Sequence, residues 1–188
     1  MSLINIIKKT KNDEAFEILI HKMLHDIASP LNTVIMGLDM LESEYDKSML
    51  GYTRDGVNKM TVILALFRLL LSNDDSDISI LDIKKNFGVL CNFSIGSQNQ
   101  YIPADIGKIV ICIVYAILGA TAKISRITCN ISVSKIQVLT VAQEVFCDFK
   151  SDIPNKKNIF QYLALLIADF YNRKLVAQNT KDGFFVSF

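Results

Sequence analysis

A histidine and an aspartate stand side by side in the stretch His25-Asp26-Ile27-Ala28-Ser29-Pro30-Leu31-Asn32. Around this stretch, apolar residues recur at intervals of three and four, which predicts a single core-facing helix. The stripe consists of Phe16, Ile20, Met23, Ile27, Pro30, Leu31, Val34, Leu38 and Leu41. Because helical residues advance by about 100° each, His25 lies about 170° from the middle of the stripe. The pattern therefore predicts that His25 faces solvent, although a lone histidine is more often a core residue or an incidental surface residue.

The polar face of this helix continues beyond the histidine with Ser29, Asn32 and Met36. An apolar side chain at Met36 favours a surface that a partner covers, although single exposed hydrophobic residues are common. We interpret Ser29, Asn32 and Met36 as a docking strip. Pro30 lacks a backbone donor and crowds the carbonyl of Asp26, which predicts a bend one turn after His25.

Two long helices are expected in the first part of the chain. The first is predicted to begin at Asn12 or Asp13 and to end near Glu44. The second is predicted from Tyr52 to Leu71, after a turn that ends at Gly51. A short connection of this kind indicates a helical hairpin.

The second helix of the hairpin is apolar on two opposite sides. One stripe comprises Met60, Ile63, Leu64, Phe67 and Leu71. Leu66 and Leu69 lie on the other side, where a single partner helix does not reach. Two chains that pair their hairpins into a four-helix bundle would cover both sides, which predicts a homodimer. The alternative is that Leu66 and Leu69 pack on the remainder of the same chain.

A polar linker, Ser72–Asp77, separates the hairpin from a second half with a different pattern. We expect a first domain over residues 1–73 and a second over residues 79–188. Ser79 and Asp82 form a candidate capping box, and Pro103 is suited to open another helix. The helices expected in the second half are Ile80–Leu90, one from Pro103 through Ile109–Ala122, and Asn158–Tyr171. The expected strands are Arg126–Ser134, Lys135–Ala142, Val145–Phe149, Lys174–Gln178 and Phe184–Phe188, the last two joined at an Asp182-Gly183 turn. Helices on one side of a small sheet give an α+β fold.

Composition excludes several classes of protein. With 188 residues, 51% hydrophobic content and a net charge of +1, the chain lacks the basic excess typical of nucleic-acid binding. The longest apolar run, Ile109–Ala122, is shorter than the roughly 20 residues of a bilayer span, and the N-terminus does not resemble a secretory signal. The four cysteines, Cys91, Cys112, Cys129 and Cys147, are widely spaced, which favours reduced thiols over a zinc site or a disulfide. We therefore expect a cytoplasmic protein without membrane or nucleic-acid partners.

Three segments together resemble the ChpT-type histidine phosphotransferases of alphaproteobacteria, which are related to histidine kinases. The first segment has His25-Asp26, then Ser29-Pro30, then Gly37-Leu38-Asp39-Met40-Leu41. The second, Leu64–Leu70, is similar to a Phe-Arg-Leu motif on the second helix of the family, and the third is Ile159–Val176. The resemblance covers most of the chain, and its specificity is high only in the first segment.

The resemblance implies a fold and an activity. The fold is an N-terminal hairpin that forms a four-helix bundle by dimerisation, followed by a degenerate histidine-kinase ATPase-like α/β sandwich. Where related kinases carry two asparagines on the helix that holds magnesium and phosphate, this chain has Tyr115 and Gly119, which do not offer magnesium ligands. A glycine-rich lid is also missing. The resemblance therefore implies phosphoryl transfer without ATP.

In this reading, His25 accepts a phosphoryl group from the aspartate of a receiver domain and passes it to another response regulator in a two-component phosphorelay. His25 and Asp26 are the candidate catalytic residues, and Ser29, Asn32, Met36 and Arg68 are the candidate partner-binding residues. A neutral imidazole is a suitable nucleophile near pH 7. The chain is expected to need no cofactor or metal of its own, since the receiver domain would supply Mg²⁺. His21 and His25 form a weak HxxxH signal for zinc.

Two alternatives remain open from the sequence. One is a dimeric scaffold that binds response regulators without transferring phosphoryl groups. The other is a divergent histidine kinase that still uses ATP. Acid-labile labelling distinguishes the scaffold from a transferase, and thermal stabilisation by nucleotide would identify the kinase.

Overall fold

The computed structural model describes residues 3–10, 12–43, 47–97, 99–120, 127–132, 135–140, 153–155, 157–180 and 183–187. The helices found there are α1 (Leu3–Lys9), α2 (Asp13–Ser43), α3 (Lys47–Leu71), α4 (Ile80–Leu90), α5 (Ala104–Ala120) and α6 (Ile159–Phe170). The strands are β1 (Ile78–Ser79), β2 (Phe93–Ser97), β3 (Tyr101–Ile102), β4 (Ile127–Ser132), β5 (Lys135–Thr140), β6 (Val176–Thr180) and β7 (Gly183–Ser187). This mixture confirms the α+β class. The division into two domains stays a prediction.

Helices α2 and α3 form the predicted hairpin, and two glycines bring them close together. A Cβ atom at Gly56 would lie 2.8 Å from Val34 Cγ2 and 3.0 Å from the carbonyl oxygen of Pro30. A Cβ atom at Gly37 of α2 would likewise clash with the side chain of Thr53 of α3. Helix α2 continues through Pro30, and α3 begins at Lys47, earlier than predicted. A glycine inside a helix costs only about 1 kcal/mol, so Gly51 did not end the helix.

Burial in the hairpin differs from the main expectation at two places. Leu66 of α3 is fully buried within a single chain, together with Phe67 and Leu70, so for Leu66 the alternative of packing within the same chain is the correct one. Conversely, Leu31 and Leu38 of α2, which were expected in the core, are exposed. The reason is that α3 covers only one flank of the wide apolar face of α2, whereas the second half of the chain covers the far side of α3.

The second half contains a five-stranded sheet with the strand order β2-β4-β5-β7-β6. Strand β2 is parallel to β4, and the remaining neighbours are antiparallel. Ile127, Cys129 and Ile131 of β4 are buried, whereas the intervening Thr128 and Asn130 are partly or fully exposed. The buried residues join one hydrophobic cluster with α4, α5 and α6, so these helices cover one face of the sheet.

The predicted elements of the second half appear close to their expected positions. Ser79 caps α4, since its Oγ accepts a hydrogen bond from the backbone N–H of Asp82 at 3.4 Å. Helix α5 follows Pro103, whose carbonyl oxygen accepts a hydrogen bond from the backbone N–H of Gly107. Strands β4 to β7 and helix α6 match their predictions within a few residues. The predicted strand Val145–Phe149 and Asp182 of the predicted turn lie outside the described residues.

Several elements were not predicted from the sequence. Helix α1 packs with Leu3, Ile6 and Ile7 buried, in contact with α2 and α6. The other unpredicted elements are strand β2 and the short antiparallel pair of β1 and β3. The i, i+3, i+4 spacing of Leu3, Ile6 and Ile7 was a usable signal for a helix.

Helix α5 is the buried core helix that the apolar run predicted, and nearly every residue from Ala104 to Ile117 is inaccessible to solvent. Within the described residues, every helix is too short or too polar to cross a membrane. Cys112 and Cys129 are buried free thiols, and burial raises the pKa of Cys129 to about 12. Cys147 is outside the described residues.

Candidate functional site

The His25 imidazole projects from α2 into solvent, with 78% of its side chain exposed. Its Nδ1 lies 3.3 Å from Asp26 Oδ1, and the same oxygen accepts a 2.6 Å hydrogen bond from Lys22 Nζ. The Asp26 side chain is only 17% exposed. The side chains of Lys22 and His25 therefore both contact one carboxylate oxygen of Asp26. We call these three residues the Lys22–Asp26–His25 cluster.

Helical spacing explains this cluster. Lys22 and Asp26 are four residues apart, which places them on adjacent turns of one face. Asp26 and His25 are neighbours in sequence, and the histidine ring turns toward the carboxylate. The Nδ1 contact favours the tautomer in which Nδ1 carries the proton and donates to Asp26. Nε2 then carries the free lone pair.

The cluster borders a cleft of about 400 Å³ between the hairpin and the end of α5. Lys22, His25, Asp26, Ser29, Pro30 and Thr33 of α2 form one wall, and Lys59 and Ile63 of α3 line it as well. Leu90, Tyr115, Leu118 and Gly119 complete the lining. The cleft thus combines an apolar floor with two ammonium groups, one carboxylate and the exposed imidazole.

Tyr115 is the buried aromatic residue of this cleft. Its ring stacks on Phe160 at 4.8 Å and on Phe67 at 5.4 Å between centroids. Its hydroxyl is buried and has no hydrogen-bond partner among the described residues. Burial, and secondarily the negative charge of Asp26, raise the pKa of the Tyr115 phenol well above its ordinary value. Tyr115 therefore brings a neutral, apolar ring to a position where the family resemblance led us to look for a magnesium ligand.

The structure brings together some of the predicted site residues and separates the others. His25, Asp26 and Ser29 line the same cleft. Asn32 and Met36 are exposed farther along α2, and Met36 is 64% accessible. Arg68 is exposed on α3 and does not line the cleft. The docking strip is therefore a solvent-facing surface that extends away from the histidine.

Sequence reasoning missed Lys22, Lys59 and the proximity of Tyr115 to Asp26. The i, i+4 spacing from Lys22 to Asp26 was a sufficient signal for including Lys22 in the site. Lys59 and Tyr115 reach the cleft through tertiary packing, which no local pattern reveals. In the described part of the chain, no cluster of three or more His, Cys, Asp or Glu side chains has the arrangement of a metal site, so His21 has no further ligands there.

Comparisons with known proteins bear on the fold. No family model matches the chain, and no curated protein matches its sequence. Two histidine kinases show weak structural likeness. ThkA, solved in complex with the response regulator TrrA, superposes with a TM-score of 0.46 at 16% identity, over 95% of this chain and 64% of the other. AdeS of Acinetobacter baumannii superposes with a TM-score of 0.39 at 10% identity, over 87% of this chain and 96% of the other. These two likenesses are too weak to bear on the fold. A bacterial phosphotransferase superposes with a TM-score of 0.76 at 16% identity, over 94% of this chain and 96% of the other. The chain therefore shares the fold of this bacterial phosphotransferase.

Proposed function

We propose that this protein is a histidine phosphotransferase of a two-component phosphorelay, similar to the ChpT type. His25 accepts a phosphoryl group from a receiver-domain aspartate and returns it to another response regulator. The observation that carries the proposal is the exposed imidazole, whose Nδ1 contacts Asp26 and whose Nε2 is left to react. The fold shared with a phosphotransferase supports it.

The chemistry requires little from the chain beyond a positioned nucleophile. The Nε2 lone pair forms the N–P bond while the P–O bond of the aspartyl phosphate breaks, and the receiver carboxylate leaves with the electron pair. Phosphoryl transfer of this kind depends mainly on positioning and charge neutralisation. The receiver domain supplies Mg²⁺ to the transferring group.

Asp26 orients the ring through the Nδ1 contact and stabilises the positive charge that the ring acquires. The proton on Nδ1 stays between the imidazole and Asp26 during transfer, as a buried carboxylate holds the histidine of a Ser-His-Asp triad during acyl transfer. Because Asp26 acts through His25, we assign it as a positioning residue.

We further propose that the active form is a homodimer. Exposed apolar residues follow α2 at the spacing of a helix-packing stripe: Leu24, Leu31, Ile35 and Leu38. Exposed Leu50, Val57 and Leu64 recur every seven residues on α3. A second hairpin would cover both stripes in a four-helix bundle, while the docking strip of Ser29, Asn32 and Met36 stays available to receivers.

The proposal assigns no ATP-dependent step to the chain. Its support is the Tyr115 ring, which packs among Phe67, Phe87 and Phe160 at the position where the resemblance led us to look for a magnesium ligand. Gly119, at the other such position, has no side chain to coordinate a metal. The phosphoryl group must then come from another protein.

The test is transfer from receiver domains that carry radiolabelled aspartyl phosphate, in the presence of Mg²⁺ and without nucleotide. We expect acid-labile, alkali-stable label on the wild-type chain and none on His25→Ala. His21→Ala is the matched control, since His21 is exposed one turn earlier on the same helix, and it should label as the wild type does.

The outcomes separate the three functions. A protein that binds the receivers but never acquires label would be a scaffold. Label that appears from ATP in the absence of any receiver, together with thermal stabilisation by nucleotide, would identify a kinase. Label that survives in His25→Ala would contradict the assignment of the acceptor.

A further inference from the structure

We propose that Lys22 is a positioning residue that pairs with Asp26 before transfer and with the phosphoryl group on His25 afterwards. In this role it sets how the phosphoryl group partitions between this chain and the receiver. The inference deepens the proposed function and rests on it. It starts from the one oxygen, Asp26 Oδ1, that Lys22 and His25 share.

Before transfer, the Lys22 ammonium partly neutralises Asp26. At 2.6 Å the Lys22–Asp26 pair is a short charge-assisted contact, and both side chains are largely shielded from solvent. The pair therefore holds the Asp26 carboxylate in the position from which its Oδ1 contacts Nδ1 of His25.

After transfer, the balance of charge changes. The phosphoryl group on Nε2 brings about two negative charges near pH 7, whereas the receiver carboxylate takes its electron pair away with it. These charges then lie close to Asp26, which is also negative. Lys22 is three residues before His25 on the same face of α2, so its flexible ammonium can move from Asp26 to the phosphoryl oxygens.

Lys59 supports this arrangement from the second helix. Its side chain lines the same cleft as Lys22, His25 and Asp26, so the cleft has two ammonium groups for one carboxylate. A cleft with a net positive charge is suited to hold a phosphorylated histidine. Lys22 is the more important of the two because its Nζ donates directly to Asp26 Oδ1.

The test measures the equilibrium ratio of labelled His25 to labelled receiver, which does not depend on how fast the proteins dock. Lys22→Gln should lower this ratio about fivefold, the effect of one partly shielded charge pair. Lys22→Arg should restore it to within about twofold of wild type. Lys84→Gln is the matched control, because Lys84 is exposed on α4 and does not line the cleft.

Salt gives a readout that a purely structural role would not move. The difference in this equilibrium ratio between wild type and Lys22→Gln should shrink at 1 M salt, because the Debye screening length is then about 3 Å. An unchanged ratio in Lys22→Gln, or a Lys22→Arg variant as poor as Lys22→Gln, would overturn the inference and leave the proposed function intact. Failure of the wild-type chain to take label would overturn both.

Discussion

Asp26 is the residue on which the site depends, since its Oδ1 holds both Lys22 and the Nδ1 of His25. Asp26→Asn keeps the shape of the side chain but removes the charge that we propose stabilises the ring during transfer. We expect the single-turnover transfer rate to fall about 100-fold, while the receiver dissociation constant stays unchanged. Rapid-quench measurement of labelled His25 tests this.

Asp26→Glu is the companion variant, and it should recover part of the lost rate because the carboxylate is restored. If Asp26→Asn transfers as fast as the His21→Ala control, the carboxylate has no role in transfer and its position next to His25 is incidental.

Tyr115 offers a test of stability at the same scale. A buried hydroxyl without a partner costs about 1–3 kcal/mol, and the Tyr115 hydroxyl has none among the described residues. Tyr115→Phe should therefore raise the free energy of unfolding by about 1 kcal/mol in urea titration. Tyr162→Phe is the contrasting variant: its hydroxyl accepts a hydrogen bond from Asn12, so that change should lower stability by about 1 kcal/mol.

The same phenol predicts a pH dependence. Burial raises the pKa of Tyr115 above its ordinary value of 10.0, so above pH 10 the folded chain binds more protons here than the unfolded chain does. Stability must then fall as the pH rises above 10, and Tyr115→Phe should show a smaller fall. Urea titrations of both proteins between pH 9 and pH 11 measure the difference, and parallel curves would contradict the prediction.

Local chemistry allowed parts of the site to be predicted from the sequence. The outward direction of His25 follows from helical periodicity alone, and the structure places the ring in solvent as expected. The same reasoning could have identified Lys22, because it stands four residues before Asp26 on the helix. Tyr115 was not, because its distance from Asp26 depends on how α5 packs against the hairpin.

At the scale of elements, the hairpin is determined by how closely α2 and α3 approach. Gly56 sits against Val34 and the Pro30 carbonyl, with no room for a methyl group, and the backbone oxygen cannot move aside. This contact lies between one and three turns beyond His25 on α2, so it fixes the part of the helix next to the site.

Gly56→Ala should lower the free energy of unfolding by about 1–3 kcal/mol, because the added methyl group forces the helices apart. Gly51→Ala in the same helix has no atom within 4 Å of the new Cβ and should raise stability by about 1 kcal/mol. Chemical denaturation of the two variants gives opposite signs. Equal effects would show that helix propensity, and not close packing, governs this hairpin.

Element boundaries show where sequence patterns succeed. The Ser79 cap and Pro103 located the starts of α4 and α5, because both act through the nearest backbone groups. Strand β2 escaped notice because it is only five residues long and its one partner strand, β4, is more than thirty residues away in sequence.

Across the whole molecule, one hydrophobic cluster extends from the hairpin into the helices and sheet of the second half. The linker is tied to this core: Lys108 of α5 is fully buried, and its Nζ donates to the carbonyl oxygen of Ser72 at 3.1 Å. The Tyr171 hydroxyl also donates to Asp75. These contacts tie the linker to the first turns of α5 and to the residue that follows α6.

The apolar stripe left exposed on α2 gives a test of assembly. Leu31→Glu combined with Leu38→Glu places two charges on the stripe, at positions that do not line the cleft. We expect light scattering to report a dimer for wild type and a monomer for the double variant, since like charges facing each other oppose pairing. A wild-type monomer at micromolar concentration, or a double variant that still dimerises, would contradict the proposed bundle.

The sequence by itself determined the two long helices, the caps, the β4 and β5 strands and the outward face of His25, because these depend on bond geometry and neighbouring residues. Only the tertiary structure decided that Leu66 is covered within one chain, that Leu31 and Leu38 are not, and that Lys59 and Tyr115 meet His25 at one cleft. Burial depends on which distant segments arrive at a surface, and a periodic pattern marks an apolar face without specifying what covers it.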